Sequence, residues 1–270
     1  FPGDEGYAEG RPRARGGSAP AASADRWAAA WFLAGRMRRA VGAARPVGAG
    51  VDGVGVLDSV CLGGDCNLPT TGDIVVENNC NQRTQVSVNG SLRVAGRGAS
   101  RPELTAGTSN RFFHLKENTE LTLDFVTLSG GSRGFTKSWS ACGGKDYARN
   151  YDTCYGGQIY ALVSTRIDIR NCIFKGAKAK RGGSISFRYD IGTPSGSRYG
   201  HLHILNSQFQ SLQASDSGGD IHLYGNSSSD AFTYNITNSR FDSCRVHTVF
   251  AQQGGALHLH SFRGTISGSS

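Results

Sequence analysis

The sequence predicts an all-β chain, a parallel β-helix or solenoid, behind an N-terminal leader that is disordered or at most weakly helical. Three observations predict it. The segments Leu121–Leu128, Ile167–Phe174, Leu202–Phe209 and Tyr234–Phe241 each carry large apolar residues at their first, third and eighth positions. Each is followed by a glycine pair that opens a short alternating run: Gly156-Gly-Gln-Ile-Tyr-Ala161, Gly182-Gly-Ser-Ile-Ser-Phe187, Gly218-Gly-Asp-Ile-His-Leu223 and Gly254-Gly-Ala-Leu-His-Leu259. Successive glycine pairs lie 26, 36 and 36 residues apart, the spacing of stacked-repeat architectures.

Residues 1–50 are a low-complexity leader of Ala, Arg, Gly and Pro. Asp25 to Val41 fits one short helix: Asp25 as N-cap, an alanine-rich body, basic residues in the last turn, then Gly42 and Pro46. Its apolar run, Trp27 to Ala34, is eight residues, against the ~20 needed to cross a bilayer. An Arg-rich, acid-poor segment also fits a transit peptide. A leader without a tertiary fold, or translated sequence foreign to the native protein, explains it more simply. From Val51 to Leu128 the texture is that of entry coils, with β-type runs at Asp73–Glu77, Gln85–Asn89 and Ser91–Ala95 too short for helices.

The clear repeats run over 121–260, within a β-helix spanning 51–270. Alternation marks strands with one buried face. Stacked coils therefore place Ile159, Ile185, Ile221 and Leu257 in one interior column and Ala161, Phe187, Leu223 and Leu259 in the next. Phe174, Phe209 and Phe241 form an aromatic ladder. The glycine pairs suit a sharp corner with positive φ. Asn171, Asn206 and Asn238, each fifth in its segment, suit a second corner, because Asn tolerates the left-handed region. The longest excursion, Ser129 to Tyr155, carries Trp139, Cys142 and Cys154. The chain begins at Phe1 and stops at Ser270 inside the pattern, so the expectation is a fragment truncated at the C-terminus.

Charge and cysteine usage narrow the chemistry. The net charge of +8 divides equally between residues 1–50 and the rest, so the folded part is only mildly basic. Its basic residues are scattered without interleaved aromatics, which excludes a nucleic-acid partner. Seven cysteines, at 61, 66, 80, 142, 154, 172 and 244, form no zinc-finger spacing. Cys61/Cys66 and Cys142/Cys154 are near neighbours in glycine-rich loops; a Cys142–Cys154 disulfide is expected, with Cα atoms within ~7 Å. Sequons at Asn89, Asn226 and Asn235 are possible glycosylation sites and, with the cysteines, point to the secretory route.

At the glycine pairs the sequence resembles the chlamydial-type polymorphic outer-membrane protein repeat, also found in large right-handed β-helix proteins of algae and other protists. That repeat joins Gly-Gly-Ala-Ile to Phe-x-x-Asn-x-Ala. The first half is kept at Gly182–Ile185, Gly218–Ile221 and Gly254–Leu257. In the second, Phe174 with Ala179 and Phe209 with Ala214 match, while Ala177 and Leu212 replace the Asn; in the last coil Cys244 and Val246 replace both residues. Asn110–Leu115 and Leu121–Gly131 look like the entry into such helices, so the resemblance covers roughly 110–260. It implies a right-handed, pectin-lyase-like fold, a secreted or cell-surface location, and adhesion-type roles as in some members. No C-terminal membrane β-barrel is visible, so autotransport does not carry over.

No catalytic residue is expected. Glycosidases need paired carboxylates and lyases a carboxylate cluster beside a base, yet Asp124, Asp168, Asp190, Asp220, Asp230 and Asp242 are isolated. Asp168 shares a column with His203 and Asn235; Asp216 and Asp220 flank a glycine pair as solvated turn residues would. No metal or cofactor is expected either, and His222, His258 and His260 are the residues that would have to hold one. Ordinary outward polar alternation accounts for them. The outward positions of the Gly-Gly strands, Tyr160, Ser186, His222, His258, then Leu162, Arg188, Tyr224, His260, are expected to form an exposed face. The expected function is non-enzymatic binding of glycans or a surface protein, at the cell surface or outside it, with no transmembrane segment. The alternatives are a carbohydrate-active enzyme with its site in the 129–155 excursion or beyond this segment, and a structural wall or matrix component.

Overall fold

The computed structural model describes residues 61–62, 64–107, 109–136, 154–162, 164–188, 199–224, 231–243, 245–246, 255–260 and 263–270. They form strands and turns, with no helix among them. The expected leader, most of the 129–155 excursion, Cys142 and Asn226 lie outside the described residues. The strands build four sheets of eight, seven, six and four members. Their pairings are parallel except for one hairpin, Cys61–Leu62 against Asp65–Cys66.

The order in which segments join the sheets repeats along the chain. Thr165–Arg170, Ile173–Lys175, Lys178–Arg181 and Ile185–Arg188 enter the seven-, eight-, four- and six-stranded sheets in turn. Tyr199–Leu205, Gln208–Gln210, Gln213–Ser217 and Ile221–Tyr224 do the same, each paired to its predecessor. Among the described residues, the four-stranded sheet has no member before Ser132–Arg133; the earlier strands alternate among the other three.

Register puts like residues on like. Ile159, Ile185, Ile221 and Leu257 pair in sequence, as do Ala161, Phe187, Leu223 and Leu259. All are buried except Leu257 and Leu259, which are half-buried at the edge of the stack. Phe174 and Phe209 stack with ring centroids 4.8 Å apart, and Phe209 and Phe241 at 4.9 Å. Each such ring or branched side chain contributes about 1.5–3 kcal/mol by leaving water.

The two predicted corners differ in what they demand. Asn171, Asn206 and Asn238 have φ of 52°, 49° and 49°, in the left-handed region that Asn tolerates better than most residues. Their amides link neighbouring repeats: Asn171 Nδ2 donates to Asp124 Oδ1 at 3.1 Å, and Asn206 Nδ2 to Asn171 Oδ1 at 3.5 Å. In the glycine pairs, the first residue, Gly182 or Gly218, takes positive φ. The second is glycine for space: a Cβ on Gly183 would collide with the carbonyl of Gly219 in the next repeat.

Candidate functional site

The outer face of the six-stranded sheet is not the open surface expected. Tyr160, Ser186, Arg188 and His222 are 3%, 0%, 7% and 1% exposed. The chain returns over them at Cys154–Tyr155. The Tyr155 ring lies 6.2 Å from Tyr160 and edge-on to His222 at 5.8 Å, with the Arg181 and Arg188 guanidiniums 5.6 and 5.5 Å from its centroid. Its hydroxyl accepts a hydrogen bond from Arg181 Nη1 at 3.1 Å, and Arg181 is anchored to Asp216 at 2.6 Å. Arg111, also buried, sits 4.8 Å over the Tyr160 ring. The strand is thus covered on both faces, and its outward residues form a polar and aromatic seal.

Within that seal His222 is a packing residue. Its Nδ1 is 3.4 Å from Ser186 Oγ, and its ring stacks on His258 at 4.9 Å with 9° between planes. Burial, reinforced by Arg181, His258 and Arg188, holds its pKa well below the ordinary imidazole value. Rings stacked face to face do not converge on one ion. The His260 side chain lies outside the described residues. Among the described residues no group of three or more His, Cys, Asp or Glu is placed to hold a metal.

The seven-stranded sheet presents an open surface. Along Tyr199–Leu205, Tyr199, His201, His203 and Leu205 project outward while Gly200, Leu202 and Ile204 are buried. Neighbouring strands extend this into a grid. Glu120, Arg166, His201, Thr233 and Arg263 make one column; Thr122, Asp168, His203, Asn235 and Thr265 the next; Asp124, Arg170, Leu205, Thr237 and Ser267 a third.

Asp168 is the best-buried outward residue of this grid and its electrostatic centre. Arg170 clamps both its oxygens, Nε at 3.0 Å and Nη2 at 2.6 Å, and His203 Nδ1 lies 3.2 Å from Oδ1. Burial works to raise the carboxyl pKa, but Arg170 and then His203 outweigh it and hold Asp168 below the usual range. His201 Nδ1 contacts Thr233 Oγ1 at 2.6 Å. The Tyr199 ring, 39% exposed, lies 5.9 Å from the His201 ring. The Asp168–His203–Asn235 column was legible from the sequence; the Arg170 clamp and the openness of this face were not.

A second ladder also went unread. The residue after each corner Asn is Cys172, Ser207 or Ser239, and Ser269 follows Gly268. Cys172 N donates to Ser207 Oγ at 3.1 Å, Ser207 N to Ser239 Oγ at 3.2 Å, and Ser239 N to Ser269 Oγ at 3.1 Å. Each hydroxyl donates in turn to the carbonyl two residues back, Ser207 to Leu205 and Ser239 to Thr237 at 2.9 Å. Buried N–H groups at the corner thereby find partners that the sheet cannot supply. Burial pushes the Cys172 thiol up to about 12, so it is inert.

Cys66 is bonded to Cys80, with Cα atoms 5.5 Å apart, rather than to Cys61 as chain proximity suggests. Asp65–Cys66 and Cys80–Gln82 are adjacent strands of the eight-stranded sheet, which brings the two thiols together. Cys154 is disulfide-bonded; the expected pairing with Cys142 falls outside the described residues. Asn89 is exposed at the turn between Val86–Val88 and Ser91–Gly96. Asn235 is exposed within a strand, its Oδ1 accepting from Thr237 and Thr265 hydroxyls at 3.0 and 3.3 Å. No helix among the described residues is long and apolar enough to cross a membrane. Compared with known proteins, the chain matches no family model, no curated protein and no solved structure.

Proposed function

We propose that the chain is a right-handed parallel β-helix of pectin-lyase-like kind, with repeats akin to those of polymorphic outer-membrane proteins. It is a secreted or cell-surface protein that binds glycans, or a protein partner, without catalysis. The winding is supported by the fixed order in which segments join the sheets, each one repeat from its parallel partner. The hand follows because crossovers between parallel strands of one sheet are right-handed in about 98% of cases. The Cys66–Cys80 disulfide and the exposed sequon at Asn89 favour an oxidising, extracellular setting.

One observation carries the binding reading: the seven-stranded sheet presents an uncovered row of Tyr199, His201 and His203, flanked by Arg166 and Asn235, with Arg263 one strand further on. Flat aromatic and planar polar groups on a rigid sheet suit stacking and hydrogen bonding with sugar rings. Asp168 argues against acid catalysis there, since a carboxyl held ionised by Arg170 has no proton to give. The runner-up, a carbohydrate-active enzyme, draws support from the Asp168–His203 pair, which is the orienting half of a general base.

Binding of the full chain to neutral and acidic polysaccharides, run beside turnover assays on the same polymers, tests the reading. Saturable binding that falls at least tenfold in Tyr199→Ala, with no polymer cleavage, is expected. Cleavage that disappears in His203→Ala would replace it with the enzyme. If no glycan binds but a protein ligand is lost in Tyr199→Ala, the partner is a protein.

A further inference from the structure

We propose that His201 and His203 form a two-histidine chelate for Cu2+, Ni2+ or Zn2+ on the open face of the seven-stranded sheet, with Asp168 and Thr233 orienting the rings. The proposal does not rest on glycan binding; it needs only these side chains and their neighbours.

Strand geometry supplies the pincer. His201 and His203 are two residues apart on one strand and both project outward. Their Cα atoms are therefore about 6.6 Å apart, a span that two imidazoles bridge by leaning together over an ion with N–metal distances of about 2.0–2.1 Å. Each ring already has Nδ1 engaged, His203 with Asp168 at 3.2 Å and His201 with Thr233 at 2.6 Å. A carboxylate on the far nitrogen is the usual outer support of a metal-bound histidine: it fixes the tautomer and makes Nε2 the better donor. Arg170 holds the opposite edge of Asp168, so the carboxylate cannot swing away from His203. The face is open, so water completes the coordination shell.

The ligand type selects the ion, against the charge of the guanidiniums nearby. Arg166 and Arg263 lie in the same column as His201, and Arg170 stands beside Asp168. A hard cation such as Ca2+ or Mg2+, held mainly by charge on several oxygens, is therefore disfavoured, whereas neutral imidazoles suit the late first-row ions, Cu2+ above the others. The pair His222–His258 lacks this arrangement, being stacked ring on ring with His222 buried.

The full chain, stripped of metal by a chelator, is titrated with Cu2+ and separately with Zn2+ by calorimetry, and the Cu2+ complex is read by electron paramagnetic resonance. One equivalent is expected to bind, with two nitrogens on copper. His201→Asn and His203→Asn each weaken binding at least tenfold, and Asp168→Asn weakens it by about 10–100-fold. The double variant His258→Asn/His260→Asn keeps the wild-type affinity. No binding, undiminished affinity in His201→Asn/His203→Asn, or loss on removing His258 and His260 would each overturn the proposal, and unchanged affinity in Asp168→Asn would remove its orienting role. Far-UV circular dichroism shows that each variant keeps its fold. Glycan is absent throughout, so a failed glycan reading leaves this result standing.

Discussion

Truncating Phe209 to alanine tests the stack at its centre. The ring is fully buried and lies between Phe174, at 4.8 Å and 4° between planes, and Phe241, at 4.9 Å and 12°. Phe→Ala in a packed core costs about 3–5 kcal/mol, against a whole-domain stability of about 5–15 kcal/mol. Phe209→Leu keeps most of the volume and is expected to cost under ~1.5 kcal/mol if the site repacks. Because each repeat mainly contacts its neighbours, the loss should concentrate in Ile173–Lys175, Gln208–Gln210 and Arg240–Asp242. Urea denaturation gives the total and native-state hydrogen exchange gives its location. A loss below ~1 kcal/mol in Phe209→Ala, or lost protection confined to strands remote from Phe209, would refute the ladder as a stabilising column.

Three further outcomes follow from the same structure. Asn206→Ala should destabilise by about 1–2 kcal/mol, the cost of a left-handed φ on an ordinary residue, while Asn206→Gly costs less; equal urea midpoints for the two would contradict the conformational argument. Breaking Cys66–Cys80, which closes a separation of 14 residues, should cost about 3 kcal/mol in the chain-entropy account and increase exchange near Asp65–Gln82. His222 is buried with its folded pKa below the unfolded value, so the unfolded state takes up the proton first. Stability should be flat above about pH 6.5 and fall as pH drops below it, and His222→Gln should flatten that slope; an unchanged slope would show that His222 is not the group responsible.

Much of the stack could be read from the sequence because period and residue type coincide. The Gly-Gly pairs, the corner Asn residues and the Phe ladder occupy the positions their columns predict. The burial of the six-stranded sheet could not be read. Alternation separates the two faces of a strand without saying what lies over the second one. Tyr155, 26 residues before Arg181, seals that face through contacts no local pattern encodes. The same limit hid the Cys66–Cys80 bond, made between strands that only the stack brings together. The serine ladder was within reach, since Cys172, Ser207 and Ser239 share one position after the corner Asn, but a small polar residue at a turn carries little signal alone.

Hydroxyl-radical footprinting of the full chain, with and without a saturating bound polysaccharide, tests most directly that the seven-stranded sheet is the open, ligand-facing surface. Without ligand, Tyr199 and His201 should be oxidised readily while Tyr155, Tyr160 and His222 are protected. With ligand, reactivity should fall at Tyr199, His201 and His203 and stay low under the seal. Strong oxidation of Tyr160 and His222 in the free protein, or protection by ligand there instead of along Tyr199–Leu205, would contradict the account.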